Sequence, residues 1–370
     1  MKRTVLLCLL AAGLPVAAQQ QPQPIQSPEV HADGSVTFRL RAPNAKDVKL
    51  NLTGAKAGPM QRDEQGVWSV TTDPLQPDYY EYAFVMDGVT MVDPSNAVRI
   101  PNLLSNNSEA HVPGPASLTW EVNDVPHGEI HHHFYRSAVV GDDRDFYVYT
   151  PPGYDPGGTR LYPVLYLLHG FSDDASAWTV VGRANVILDN LIAQGKTKPM
   201  LIVMPLGYGA PEIVSRQRTA ASRDPSLHQR NIDRFRDALF TEVIPQVEKT
   251  YRVSKDRTAR AIAGLSMGGA ESLYTGLNAI DRFAWVGAFS SGGVGEDFNA
   301  TFPQLSSSDN ERLKLLWIAC GTDDHQLEPN RKLREWLKSK GLHPTEVETP
   351  GAHWWMVWRR NLSEFTTLLF

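Results

Sequence analysis

The segment IAGLSMGGAES, residues 262–272, holds Ser266 between glycines, directly after a run of small apolar residues. A G-x-S-x-G pattern between a strand and a helix keeps its serine on a sharp, strained turn, so that the hydroxyl projects from the sheet. Gly264 and Gly268 remove side chains that would collide as the turn closes. Ser266 is therefore predicted to be the nucleophile of an acyl-transfer reaction. The alternative is a tight turn with an idle serine.

A serine needs a base near neutral pH, and the base needs a carboxylate that orients it. The apolar segment LLWIAC ends in GTDD and the short segment TEVETP ends in GAHWW, so Asp323, Asp324 and His353 all follow predicted strands. We predict a triad of Ser266, Asp324 and His353. Asp324 is favoured over Asp323 because the first residue of such a turn more often binds its own backbone, but both aspartates remain candidates.

The tetrahedral intermediate of acyl transfer carries an oxyanion that requires N–H donors. One donor is predicted to be the backbone N–H of Met267, immediately after the serine. The second should come from the loop after an earlier strand, here LLHGFSDD, which makes the backbone N–H of Phe171 the candidate.

Other residues of suitable chemistry lie in less suitable positions. His325 adjoins the acidic pair and is not expected to fold back onto it, and His343 precedes a strand at the opposite edge of the sheet. Ser290 ends a strand, but no helix follows it at once. His131 and His133 share one face of a probable strand at a spacing that a metal could use, without an evident third ligand. No metal and no cofactor are expected.

The elements that must position these residues lie in the second part of the chain, residues 136–370. Continuous apolar segments such as YPVLYLLHG, MLIVMPLG, TARAIAGLS and LKLLWIACG alternate with amphipathic helical segments such as ANVILDNLIAQG and NRKLREWLKSKG. This alternation predicts a doubly wound, mostly parallel α/β sheet that helices cover on both faces. Ligands of such sheets bind beyond the carboxyl ends of the strands, where all the predicted site residues lie.

The first part of the chain has a different pattern. Short segments with period-two alternation, such as SVTFRLRAP, DVKLNLTG and DYYEYAFVMDG, are separated by turn residues, which predicts a small all-β, immunoglobulin-like sandwich over residues 28–115. Residues 116–135 are predicted to be a linker. Aromatic side chains of the sandwich could form either a sugar-binding platform or a core, and the sequence favours neither; they are Trp68, Tyr79, Tyr80 and Tyr82.

The N-terminal segment MKRTVLLCLLAAGLPVAAQQ has basic residues, a short apolar stretch and small residues before Ala18. Residues 1–18 are therefore predicted to be a cleaved signal peptide, followed by a Gln/Pro-rich leader over residues 19–27, and the protein is expected to be secreted or periplasmic. The formal net charge is −5, without a basic block. This charge argues against nucleic acid or an anionic membrane surface as a partner.

Five motifs in order carry a resemblance to a known family: YTPPGYDP, YPVLYLLHG, RAIAGLSMGGAESL, WIACGTDD and PGAHWWMVWRRNLSEF. Over residues 127–370 the chain resembles the esterase D-type α/β-hydrolases, and more narrowly carbohydrate esterase family 1, which contains feruloyl and acetyl-xylan esterases. The front part resembles the early-set sandwich of carbohydrate-binding module family 48. The resemblance implies the triad and oxyanion donors named above, and a feruloyl esterase that acts on feruloylated arabinoxylan or other plant cell-wall esters.

The sequence predicts the type of reaction more closely than it predicts the acyl group of the ester substrate. Trp178, Trp354 and Trp355 are predicted near the reaction centre and could stack on a phenolic ring, although core packing is the alternative for the pair beside the histidine. Acetyl-xylan esterases, enterochelin-type catecholate siderophore esterases and an inert, polysaccharide-binding relative are the other functions considered. The siderophore alternative rests on arginines in a long loop, namely Arg216, Arg218, Arg223 and Arg230.

Overall fold

The computed structural model describes residues 24–217, 224, 226–292, 294–295 and 297–370. The predicted signal peptide, the start of the predicted leader, Arg218 and Arg223 lie outside these residues. None of the helices that the structure describes combines the length and the apolar character that a membrane crossing requires.

The front part of the chain is a sandwich of two antiparallel sheets, with strand orders β1-β2-β5-β4 and β3-β6-β9-β8, and β7 pairs with β6. Alternate residues of its strands, such as Phe38, Leu40 and Phe84, are buried between the sheets. The strands are β1 Glu29–Val30, β2 Val36–Arg41, β3 Val48–Leu52, β4 Gln61–Arg62, β5 Val67–Thr71, β6 Asp78–Met86, β7 Val89–Met91, β8 Arg99–Ile100 and β9 Asn107–Val112.

The tyrosines of this sandwich do not form an exposed platform. Tyr80 and Tyr82 are buried in the core between the sheets, and Tyr79 is buried against the second part of the chain. Trp68 is partly buried and packs on the same core. The choice between platform and core, which the sequence left open, is therefore decided for the tyrosines in favour of packing.

The second part of the chain is built on a mixed sheet of order β10-β11-β13-β12-β14-β15-β16-β17. The pairs β10·β11 and β11·β13 are antiparallel and the other pairs are parallel. The predicted linker over residues 116–135 is too long, because residues 129–135 belong to edge strand β10. The strands are β10 Glu129–Arg136, β11 Asp143–Thr150, β12 Val164–Leu168, β13 Leu201–Pro205, β14 Arg260–Leu265, β15 Trp285–Phe289, β16 Leu315–Gly321 and β17 Thr345–Thr349.

Helices cover both faces of this sheet because successive residues of its central strands point to opposite sides. In β12, Val164 and Tyr166 pack in the core on one face, while Leu165 and Leu167 pack in the core on the other. The helices are α1 Ala177–Val180, α2 Ala184–Ala193, α3 Leu227–Ala238, α4 Ile244–Thr250, α5 Ser266–Asn278, α6 Phe298–Thr301, α7 Leu327–Ser339 and α8 Trp355–Thr367, and a π-helical turn, Leu239–Val243, joins α3 to α4.

A buried ion pair joins the two parts of the chain. Asp78, at the start of β6, accepts hydrogen bonds from Arg359 of α8 at 2.6 and 3.2 Å and from Arg360 at 3.0 Å. The Arg359 guanidinium also donates to the carbonyl oxygens of Tyr79 and Val181, both at 2.9 Å. A buried charge is tolerable only when its hydrogen-bonding groups are satisfied, and these bonds fix α8 against the sandwich.

Candidate active site

Ser266 lies on the tight turn between β14 and α5. Its φ of +50° is a left-handed conformation, which is strained for a residue with a side chain. A Cβ on Gly264 would collide with the carbonyl oxygen of Gly268, and a Cβ on Gly268 would lie 2.6 Å from the carbonyl oxygen of Leu168. Glycine is required at both positions by these backbone contacts. The helix begins at Ser266 itself.

The structure brings Ser266, His353 and Asp324 into one chain of hydrogen bonds. His353 Nε2 lies 2.9 Å from Ser266 Oγ, and its Nδ1 lies 3.0 and 2.9 Å from the two carboxylate oxygens of Asp324. The Asp324 side chain is fully buried. Asp323 is exposed, and its backbone N–H donates to the carbonyl oxygen of Gly351. The geometry thus selects Asp324 as the partner of the imidazole.

Several donors hold the Asp324 carboxylate in its charged form. Burial raises its pKa, but hydrogen bonds from His353, from the backbone N–H of Gln326 at 2.8 Å and from Ser290 outweigh burial, and the pKa lies below its ordinary value. Ser290 is itself fixed, because Trp358 Nε1 donates to its Oγ at 3.1 Å. The sequence placed Ser290 at a strand end but gave it no role. The structure shows it supporting the carboxylate.

The loop after β12 carries Phe171 next to Ser266. His169 holds this loop: its Nδ1 lies 2.8 Å from the carbonyl oxygen of Gly170, and the backbone N–H of Gly207 donates to its Nε2 at 2.8 Å. Burial lowers the pKa of His169 to about 4, so the ring is neutral. Among the described residues, the backbone N–H of Phe171 donates to no protein group. Met267 is the second residue of α5, where backbone N–H groups have no partner within the helix.

A cavity of about 260 Å³ opens above Ser266 and His353. The second part of the chain contributes Phe171 and a tryptophan wall, and the sandwich contributes polar side chains that no local sequence pattern had indicated. The wall consists of Trp354, Trp355 and Trp358, and the polar side chains facing it from the sandwich include Thr53, Glu81, Asn102, Ser105 and Asn107. The pocket is therefore assembled from both parts of the chain.

The prediction that Trp178 faces the substrate is wrong. Its side chain is 1% exposed, and its Nε1 donates to the carbonyl oxygen of Leu168 at 2.9 Å. Its ring packs edge-on against Trp355, whose own ring lines the cavity. Trp178 supports the pocket wall from behind and does not contact its interior.

His325 lies closer to the site than the sequence suggested. Its Nδ1 is 3.4 Å from Asp324 Oδ1, and its ring centroid is 4.7 Å from that of His353. Donor atoms of these three residues lie within 4.8 Å of one another, a spacing that a metal ion could use. However, the Asp324 carboxylate and His353 Nδ1 already form hydrogen bonds with each other, so these groups do not need a metal ion as partner. His131 and His133 instead bond to the hydroxyls of Thr150 and Tyr251.

The arginines of the long loop do not line the pocket where the structure describes them. Arg216 donates to the carbonyl oxygen of Leu104 at 2.8 Å, and Arg230 pairs with Asp224 at 2.7 Å. Neither contributes to the cavity above Ser266.

A mostly parallel sheet with a serine on the turn after a central strand, and with its aspartate and histidine after later strands, is an α/β-hydrolase fold. The chain belongs to the esterase family described as "Putative esterase", whose model matches residues 137–368. The model for carbohydrate-binding module 48, the isoamylase N-terminal domain, matches residues 26–100. The predicted fold and the resemblance stated above are confirmed by these matches.

Relatives include an endo-1,4-beta-xylanase/feruloyl esterase of Xylanibacter ruminicola, 32% identical over 93% of this chain. The chain spans 46% of the length of that relative. A carbohydrate esterase family 1 ferulic acid esterase of Anaeromyces mucronatus, solved with ferulic acid, is 27% identical, with a TM-score of 0.58 over 70% of this chain and 96% of its own. The enterobactin esterase of Shigella flexneri shares the fold at 19% identity, with a TM-score of 0.67 over 90% of this chain and 92% of its own.

Proposed function

We propose that this protein is a serine carboxylic-ester hydrolase that releases hydroxycinnamic acids from plant cell-wall polysaccharides or their oligosaccharides. The observation that carries the proposal is the hydrogen-bonded chain from Ser266 through His353 to buried Asp324, at the base of an open cavity. Family membership supports an ester as the substrate. The names of two relatives, a feruloyl esterase and a ferulic acid esterase, support the feruloyl group.

In the first half of the reaction, His353 Nε2 accepts the proton of the Ser266 hydroxyl while Oγ attacks the ester carbonyl carbon. Asp324 keeps the remaining proton on Nδ1 and stabilises the imidazolium that forms. The backbone N–H groups of Phe171 and Met267 donate to the oxyanion. As the tetrahedral intermediate collapses, the bond to the alcohol oxygen breaks, and the alcohol leaves with the proton from Nε2.

In the second half, water takes the place of the alcohol. His353 Nε2 accepts one proton of this water, whose oxygen attacks the carbonyl carbon of the acyl-serine. The second tetrahedral intermediate collapses, the bond to Oγ breaks, and Ser266 recovers its proton from the imidazolium. The free acid is released and the starting state of the three side chains is restored.

The tryptophan wall supports an aromatic acyl group. Trp354, Trp355 and Trp358 line the cavity beside His353, and aromatic side chains contribute about 0.5–1.5 kcal/mol to a stacked or edge-on ring beyond the burial of area. Acetyl esters of xylan would leave this wall without a partner. Catecholate esters would also present rings to the wall, so they remain the competing substrate class.

Export is part of the proposal and rests on the N-terminal residues alone. Cleavage after Ala18 would leave a mature chain beginning at Gln19. Mass spectrometry of the protein recovered from the periplasm or the medium tests this: a chain that retains Met1 and stays with the cytoplasm contradicts export without affecting the enzymatic proposal.

Two experiments test the reaction and the substrate class. Ser266→Ala should lower kcat at least ~10³-fold while leaving the urea midpoint close to that of the wild type, and a fluorophosphonate probe should label the peptide that contains Ser266. Near-normal turnover in that variant refutes the mechanism.

Hydrolysis rates on methyl ferulate, acetylated xylan and a cyclic catecholate trilactone should be highest for the ferulate. A higher rate on either of the other two esters would contradict the feruloyl assignment and identify that ester class as the substrate.

A further inference from the structure

Glu81 extends from the sandwich into the cavity above Ser266. It lies on β6, is partly buried, and lines the cavity. Asn107, the first residue of β9, donates from Nδ2 to Glu81 Oε2 at 3.0 Å. This bond fixes the carboxyl group, and the second oxygen, Oε1, accepts no hydrogen bond from the described residues. One acceptor of Glu81 is thus left for a ligand.

Asp173 approaches the same cavity from the other part of the chain, two residues after Phe171. It is 7% exposed, and its Oδ1 accepts a hydrogen bond from Asn102 Nδ2 at 3.1 Å. The backbone N–H of Gly170 also contributes a hydrogen bond to this carboxyl group. Asn102 is held in turn, because its Oδ1 accepts the backbone N–H groups of Leu104 and Ser105, both at 3.0 Å. Asp173 is therefore a fixed and nearly buried carboxyl group that lines the cavity.

The surroundings favour a proton on this pair. Burial raises the pKa of Asp173 to about 8, with a further contribution from Glu81, and burial also raises the pKa of Glu81. Asp174 also raises the pKa of Asp173, whereas the hydrogen bond from Asn107 and the Arg359 charge lower the pKa of Glu81 without outweighing burial. The other titratable groups that face the pair from neighbouring elements are Glu109, Tyr208 and His353.

We propose that Glu81 and Asp173 form a hydroxyl-binding subsite, in which a neutral carboxyl group donates to a substrate hydroxyl and an ionised one accepts from it. The proposal rests on the proposed function, since it concerns the same pocket. A hydroxyl group is both donor and acceptor, and it matches this pair, whereas an anionic group would meet an unpaired carboxylate. The hydroxyl can come from two sources, the phenol of the acid or the sugar of the alcohol.

A pocket built to bind a hydroxyl discriminates against analogues that lack it, because its buried polar groups are then left unpaired. Glu81→Gln and Asp173→Asn keep shape and volume, but they change the pattern of donors and acceptors. Glu64→Gln is the control: Glu64 is an exposed carboxylate of the same sandwich, in the turn between β4 and β5, and does not line the cavity.

The test measures kcat and KM for wild type and these variants on three substrates. Methyl ferulate carries the phenolic hydroxyl alone, a feruloyl arabinofuranose ester carries phenolic and sugar hydroxyls, and methyl 3,4-dimethoxycinnamate carries neither. Glu81→Gln should raise KM about tenfold for substrates with the recognised hydroxyl, with kcat within threefold. A higher KM for both feruloyl esters identifies the phenolic hydroxyl as the recognised group. A higher KM for the arabinose ester alone identifies a sugar hydroxyl. Glu64→Gln should match the wild type throughout.

The pH dependence of KM gives a second readout, which a purely structural role would not change. The donor on Asp173 is present below its pKa and disappears as the pH rises through about 8. The wild-type KM should therefore rise between pH 7 and pH 9 relative to that of Asp173→Asn, which cannot ionise. If both variants keep the wild-type KM on all three substrates while the wild type has full kcat, the subsite proposal is refuted. The proposed esterase activity is not affected by that result. Inactivity of the wild type on all three refutes the proposed function itself.

Discussion

Replacing Asp324 with asparagine should disable the base while leaving the fold intact. Oδ1 of Asp324 accepts the backbone N–H of Gln326 at 2.8 Å, and Oδ2 lies 2.9 Å from Nδ1 of His353. In Asp324→Asn the amide oxygen keeps the bond to Gln326, so the NH₂ group takes the place of Oδ2. Nδ1 must then become an acceptor, the imidazole proton moves to Nε2, and that nitrogen can no longer accept the proton of Ser266.

The size of the effect follows from the misplaced proton. In serine hydrolases with this arrangement the corresponding change lowers kcat about 10⁴-fold, or about 5 kcal/mol in activation free energy. The Asp324 side chain is fully buried, so solvent cannot replace the lost carboxylate, and we expect a loss of about 10³- to 10⁴-fold. KM should change little, because the carboxylate lies behind the imidazole and does not line the cavity.

The assay is steady-state hydrolysis of methyl ferulate, with urea denaturation to show that the variant is folded. Asp323→Asn is the matched control, since this neighbouring aspartate is exposed, and it should keep wild-type kcat. The reasoning fails if Asp324→Asn stays within tenfold of wild type, or if the control loses as much activity as the variant.

Further changes test the parts of the structure that hold the site. Asp78→Asn should lower the free energy of unfolding by about 3–5 kcal/mol, because it leaves a buried guanidinium without its counter-charge; a loss below about 1 kcal/mol in urea denaturation contradicts this. Gly268→Ala should lower stability by about 1–3 kcal/mol and reduce kcat, since the new methyl group meets the backbone of β12; wild-type kinetics would argue against the collision. Two arginines lower the pKa of Glu348 from 4.5 to about 2, so its ion pairs stabilise the fold above pH 4.5 and are lost as the pH falls towards 2. The stability difference between wild type and Glu348→Gln should therefore be smaller at pH 3 than at pH 6, and a constant difference is the contrary result.

The positions of Ser266, Asp324 and His353 could be predicted because each follows a strand of the sheet, and parallel strands have their carboxyl ends at one edge of the sheet. The glycines around the serine added a local signal, since their side-chain positions are filled by backbone. The same logic identified the strands and the helices between them. The predictive information lay in local pattern and chain order.

Contacts between distant segments left no such pattern. Glu81 and Asn107 are unremarkable polar residues of a sandwich strand pair, and nothing near them in the chain indicates that they face a cavity. Trp178 was misjudged for the same reason, because sequence proximity to the oxyanion loop did not reveal which way its ring points. His325 was also misjudged: it was not expected to fold back onto the acidic pair, but its Nδ1 lies 3.4 Å from Asp324 Oδ1.

The salt bridge from Asp78 to α8 bears on how this architecture can be inherited. Helix α8 starts two residues after His353 and carries Arg359, so the sandwich holds the element that follows the proposed general base. If recombination exchanged the sandwich for another module, that module would have to supply a carboxylate at the position of Asp78. Otherwise the buried Arg359 guanidinium would have no counter-charge. We therefore expect positions 78 and 359 to vary together among related sequences that keep both modules.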